Sequence, residues 1–302
     1  MKSNKTFIYL LLILAMVFWS FSYIWTQNVF KYLNPLSTVF IRLVIASLFF
    51  VSLSLILGKF QRIESKDRLK FLLLAFFEPL IYYLGESYGL KYVAPTVAAI
   101  IISTIPLFVP FFMFFLAKEP IKTGTFFGIF IAFVGVLMVV LNKDLSFAAS
   151  PLGIMFLMIA VASVMGYSYI LQTLGKKYNA FTIISIQNVI GIFYFLPLVL
   201  LFDTDVFKTI NITSELVMNI TALAVFASAL AFFLFTIGTQ HIGVTKASIF
   251  TYLVPIFTAL LSYFMGKETF TPLKINGILV VILGLSLSQL RLRTIFTKNK
   301  KI

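Results

Sequence analysis

"YVAPTVAAIIISTIPLFVPFFMFFLAKEPIKTGTFFGIFIAFVGVLMVVL" (residues 92–141) and "HIGVTKASIFTYLVPIFTALLSYFMGKETFTPLKINGILVVILGLSLSQL" (residues 241–290) lie over one another at a single shift of 149, without a gap. Pro106 falls on Pro255, Lys118-Glu119 on Lys267-Glu268, Gly128 on Gly277 and Gly135 on Gly284. Leu-for-Ile matches between apolar helices arise easily by chance. The Pro, Lys-Glu and Gly coincidences involve scarcer residues, and they mark a duplicated unit. Upstream, a shift of 146 lays "FSYI" (21–24) over "YSYI" (167–170), Lys31 over Lys177 and Arg42 over Asn188.

The duplicated unit is made of membrane helices. The 302-residue chain is 61% hydrophobic and 11% charged, too little polar surface to coat a soluble domain of that size. Its apolar runs reach the roughly 20 residues that a helix needs to cross a bilayer. A transmembrane barrel would show short alternating segments instead. The predicted fold is an all-α membrane protein with ten spans, at 7–27, 36–57, 70–90, 94–116, 123–141, 151–172, 180–201, 216–238, 245–266 and 273–290. The opening "MKSNKTFIYLLLILAMVFW" has the basic and apolar parts of a signal peptide. No small-residue cleavage site follows, so it reads as a retained first span.

Five spans per copy is an odd number, so the second copy enters the membrane inverted. The first repeat is expected over 1–142, the second over 151–290, and a basic tail over 291–302. Of the 24 Lys and Arg, 17 fall on the N-terminal side and 6 on the other, with Arg42 inside a span. Basic loops stay cytoplasmic, so both termini are expected inside. The loop "GKFQRIESKDRLK" is basic, while its counterpart "FDTDVFKTINITSE" is net acidic. Inverted repeats put a binding site near the midplane, where the halves meet, and rocking exposes it to each side in turn.

Several function classes drop out. The net charge of +14 is scattered between apolar runs, which suits contact with a lipid bilayer rather than nucleic acid. With no cysteine and a single histidine, His241, no metal site or cofactor is expected. A Gly-rich phosphate loop and a nucleophile–histidine pairing are both missing, so neither an enzyme nor an ATP-driven pump is expected.

Read with these features, the chain resembles the drug/metabolite transporter superfamily, and its EamA-type domain in particular. The resemblance rests on "WSFSYIW" (19–25), Pro106, Lys118-Glu119, Gly128 and Gly135, with their second-half copies. It covers nearly the whole chain and identifies the fold better than the substrate, since members handle amino acids, sugars, nucleotide sugars and drugs. It implies a central cavity lined by spans 1–4 and 6–9, with spans 5 and 10 peripheral, and it favours export.

Within the third span, "FFEPLIYYLGESYGLKY" (76–92) places Glu78, Tyr82 and Glu86 at successive i,i+4 positions, one stripe of a regular helix. A carboxylate at the bilayer centre costs about 2.5–3.5 kcal/mol, so it faces the protein interior or a wet cavity. At 1.5 Å per residue Glu78 lies about 12 Å from the cytoplasmic end and Glu86 about 24 Å, near the outer interface. Arg42 reaches a depth similar to Glu86, which suggests either an ion pair or an outer gate. No cation is expected at the depth of Glu78, which makes it a proton or substrate site. Pro79 favours a kink beside it. Trp19, Ser22 and Tyr23 in the first span and Tyr167, Ser168 and Tyr169 in the sixth sit at repeat-related positions and suggest facing walls of one cavity. Gln187 and Asn188 are buried amides, suited to interhelical hydrogen bonds or to substrate contact. Pro106 and Pro255 are candidate hinges, and the glycines suit close helix packing.

The reading is a secondary transporter of a small organic metabolite, with proton coupling at Glu78. A phosphorylated substrate is disfavoured by the lone intramembrane arginine, and a neutral, zwitterionic or aromatic solute such as an amino acid is favoured. The alternatives are an uptake permease for a sugar or nucleoside, and a non-transporting membrane scaffold. Oligomeric state carries no signal in the sequence.

Overall fold

The computed structural model describes residues 5–117, 121–140, 149–206, 210–266, 271–289 and 294–296. Lys118-Glu119, Lys267-Glu268 and most of the basic tail lie outside the described residues. Among the described residues the regular structure is helical, apart from a short antiparallel pairing of Ile121–Lys122 with Thr294–Phe296.

Helices α1 (Lys5–Val29) and α2 (Pro35–Ile56) are continuous. The third expected span is not. Helix α3 (Arg68–Ala75) enters a π-helical segment, Phe76–Ile81, before α4 (Tyr82–Tyr92) resumes. A two-residue break at Ser103 and Thr104 separates α5 (Pro95–Ile102) from α6 (Ile105–Ala117), and α7 (Thr123–Val140) follows. Helices α8 (Pro151–Leu174) and α9 (Ala180–Phe202) are continuous. Helices α10 (Ser214–Ala222) and α11 (Phe232–Ile242) flank a second π-helical segment, Leu223–Ala231. The next expected span begins as a single turn, α12 (Val244–Ala247), tightens to a 3₁₀ segment at Ser248–Tyr252, and continues as α13 (Leu253–Phe264). Helix α14 (Pro272–Gln289) completes the set.

Among the described residues, seven stretches are long and apolar enough to cross a bilayer: Lys5–Val29, Pro35–Ile56, Pro95–Phe112, Pro151–Leu174, Ala180–Phe202, Ser214–Ile242 and Val244–Phe264. The outer surface agrees with a multi-pass membrane protein. Large apolar side chains such as Phe115, Phe193, Leu201, Phe202 and Phe264 are exposed, as they are when lipid is the solvent.

Local chemistry explains several starts. Pro35, Pro95 and Pro151 occupy first-turn positions, where the missing N–H removes nothing. The Asn179 side chain accepts the Thr182 N–H at 2.9 Å and caps α9. The break at Glu78 also follows from sequence. A residue before proline is pushed out of the α region, and Glu78 adopts φ −144, ψ 117, an extended conformation inside a helix. Neighbouring helices are cut away to accept the displaced side chains. A Cβ at Gly166 in α8 would meet the Phe77 ring at 2.5 Å, and one at Gly191 in α9 would meet the Pro79 ring at 2.5 Å.

The helices pair across the two halves of the chain: α2 with α9, α4 with α8, α1 with α11 and α13, α5 with α13, and α7 with α14. The α7–α14 contact is the close packing expected of the shared glycines. A Cβ at Gly135 would come within 2.5 Å of the Val281 backbone nitrogen.

The two ends of the bundle carry matching clusters. At one, Lys177 reaches Asp67 and Glu64 at 2.5 Å each, and the Tyr178 hydroxyl donates to Asp67 at 3.0 Å. At the other, Lys31 and the Tyr32 hydroxyl reach Glu215 at 2.8 Å each. The two Lys-Tyr pairs are the ones that the shift of 146 superimposes. Asp67 is 2% exposed, and Lys177, with Lys70 beside it, holds its carboxyl well below the usual range.

Candidate functional site

A cavity of about 60 Å³ opens where the helices converge. Its lining is mostly apolar. Glu78, Tyr82 and Glu86 form one wall, from both sides of the break in the third span. Trp19 and Tyr23 of α1, Tyr167 and Ser168 of α8, and Phe232 and Phe235 of α11 line it as well. The Trp19 ring meets Phe232 edge-on at 5.0 Å and Phe235 at 5.2 Å. The remaining wall comes from the α5–α6 and α12–α13 regions, whose helical hydrogen bonding is interrupted near the cavity, at Ser103–Thr104 and Ser248–Tyr252.

The carboxylates are held differently. Glu78 is 2% exposed and accepts a hydrogen bond from the Gln187 side-chain amide of α9. Glu86 accepts from the Tyr82 hydroxyl through Oε1 at 2.9 Å. Its Oε2 has no hydrogen bond among the described residues. The Tyr167 hydroxyl is likewise unpartnered. Gln187 and Thr236 are near it but not in bonding geometry.

Arg42 does not pair with Glu86, contrary to the depth argument; among the described residues no ion pair forms between them. Its Nε donates to Ser228 at 2.7 Å, and its guanidinium lies 4.0 Å over the Tyr83 ring. Depth along a helix says nothing about which way a side chain points around it. The Arg42 charge acts on both Glu78 and Glu86. Arg42 does not line the cavity. It sits behind the wall.

Other expectations need correction too. Glu78 does not continue the helical stripe of Tyr82 and Glu86, because Pro79 expels it from the helix, yet all three reach the same cavity. Glu86 lines the cavity. Tyr169 is 39% exposed, faces away, and leaves the α8 wall to Tyr167 and Ser168. Ser22 is buried against its own helix, donating to the Trp19 carbonyl at 2.6 Å. Asn188 is buried with its Nδ2 unpartnered, outside the lining. Helices α2 and α9, expected to line the cavity, instead buttress it through Arg42 and Gln187. Pro106 and Pro255 each stand just after an interruption, at the start of α6 and of α13. Tyr83 and Ser228 were not legible as site residues, since a second tyrosine and a serine in an apolar helix are ordinary.

The same architecture is found elsewhere. The EamA-like transporter family model matches residues 6–141 and again residues 151–289. The chain belongs to the EamA-like transporter family. An uncharacterized transporter of Archaeoglobus fulgidus is 26% identical to this EamA-like protein over 280 residues, 92% of this chain and 96% of that one. The uncharacterized transporter YetK of Bacillus subtilis is 27% identical over 255 residues, covering 83% and 77%. A solved crystal structure at 16% identity superimposes with a TM-score of 0.73 over 94% of this chain and 98% of the other, a likeness of fold.

Proposed function

We propose that this EamA-like protein is a secondary transporter, moving a small organic solute across the cytoplasmic membrane by alternating access. Export is the favoured direction, and Glu78 exchanges a proton during the cycle. One observation carries the reading: the cavity lies between the two family-matched segments, with a buried carboxylate at a helix break in its wall.

Further support comes from the pairing of parts. The stretches Arg68–Tyr92, Thr123–Val140 and Pro272–Gln289 bring the helical crossings to ten, five in each matched segment. The two segments enter in opposite senses. The reciprocal Lys-Tyr clamps on Asp67 and Glu215, and the reciprocal packing of Gly89 on Leu157 and Gly238 on Leu12, support this inverted relation. Breaks at Glu78, at Ser103–Thr104 and at Ser248–Tyr252 give the wall places to flex without shearing regular helix. A scaffold has no use for such a cavity, and the apolar lining offers few of the hydrogen-bonding groups that a sugar requires.

The inverted arrangement is tested with single cysteines, since the chain has none of its own. Ser65→Cys stands in the loop of the Asp67 cluster and Thr204→Cys in the loop beside Asp203. An impermeant thiol reagent is expected to label Ser65→Cys from the cytoplasm alone and Thr204→Cys from outside alone. Labelling of both from one side contradicts the arrangement, and the alternating-access reading with it.

A further inference from the structure

We infer that the cavity is built for an organic monocation, a protonated amine on an aromatic or alicyclic body, with Glu86 as its counter-charge. The inference deepens the transport reading and rests on it for its physiological meaning. Three observations carry it. First, the charged groups that line the cavity are both carboxylates, whereas the nearby cation, Arg42, is turned away onto Ser228 and Tyr83. Second, open hydrogen-bonding capacity faces this space. Glu86 Oε2 carries no hydrogen bond among the described residues. An ammonium group brings three donors and no acceptor, which suits such a site. Third, aromatic rings make up much of the lining: Tyr23, Tyr82, which bonds Glu86, and Trp19 packed on Phe232 and Phe235. Aromatic faces attract cations and also cover apolar bodies.

Glu86 is assigned the counter-charge rather than Glu78 because Glu78 is already engaged by the Gln187 amide. Other charge classes fit worse. An anion would meet two carboxylates. A zwitterionic amino acid would place its own carboxylate in a space where no cation among the described residues lines the wall. A sugar would leave many of its hydroxyls unpaired.

The chain has two tryptophans, Trp19 and Trp25, and only Trp19 lines the cavity. In a Trp25→Phe background, the fluorescence of the purified full chain therefore reports on the cavity. The probes are phenethylamine, phenylalanine, 2-phenylethanol and 3-phenylpropionate, which share one ring and differ in charge. Phenethylamine is expected to saturate the signal about tenfold more tightly than phenylethanol, with phenylalanine and phenylpropionate weaker still. Glu86→Gln is expected to abolish the preference for the amine while leaving phenylethanol binding in place. Equal binding of the amine and the alcohol overturns the inference, as does a preference for the zwitterion or the anion. The order of the four probes decides the charge class even if Glu86→Gln does not fold. Because binding is read at equilibrium, saturable amine binding without flux in liposomes would sink the transport reading and spare this one. Flux of other solutes without amine binding would do the reverse.

Discussion

Glu78→Gln is expected to fold and insert normally, yet to lose the pH dependence of transport. The local backbone does not depend on the charge, because the extended conformation at residue 78 follows from the proline after it. Gln keeps the size of the side chain, and its carbonyl oxygen can still accept from the Gln187 amide. What it cannot do is change charge. A carrier moving one proton per cycle accumulates solute about tenfold per imposed pH unit. The variant should accumulate none, while exchange of solute down its own gradient survives. The check is uptake into proteoliposomes between about pH 5.5 and 8, since coupled carriage at a titrating carboxylate makes the rate vary with pH in that window. A Glu78→Gln profile that matches the unmutated protein would make this carboxylate a structural acid and end the coupling proposal.

Arg42→Gln is expected to destabilise the protein by about 3 kcal/mol, the scale seen when one member of a buried charge group is removed. The guanidinium is 2% exposed, bonded to Ser228 and stacked on Tyr83, and its charge acts on Glu78 and Glu86. Without it, two carboxylates share a mostly apolar cavity with no cation behind them. The double variant Arg42→Gln/Glu78→Gln should therefore lose less stability than the two single losses added together. Thermal unfolding in detergent measures all three variants. Simple additivity would show that Arg42 and Glu78 do not share one electrostatic group.

The helical membrane class and the family were legible because they depend on one-dimensional signals, hydropathy and the spacing of scarce residues. The break at Glu78 was half legible. Pro79 foretold a kink, but the helical stripe assumed a regular helix where proline forbids one. Azimuth was the missing coordinate elsewhere. Tyr167, Ser168 and Tyr169 are consecutive, so each turns about 100° from the last, and only packing against the neighbouring helices decides that Tyr167 and Ser168 face the cavity. Arg42 and Glu86 share a depth without sharing a direction. Ser228, which receives Arg42, sits in a π-helical segment that nothing in its sequence announces. The cavity itself is a product of tertiary packing, drawn from six separate stretches of chain.

The most direct measurement of the central claim is solute flux in liposomes holding only this protein. Labelled phenethylamine, phenylalanine and 2-phenylethanol would be followed under an imposed pH gradient, against protein-free vesicles. The account predicts protein-dependent accumulation of at least one of these solutes, driven by the gradient and abolished when the gradient is collapsed. Movement of all three at the rate of protein-free vesicles, with the cavity shown to bind one of them, would contradict it.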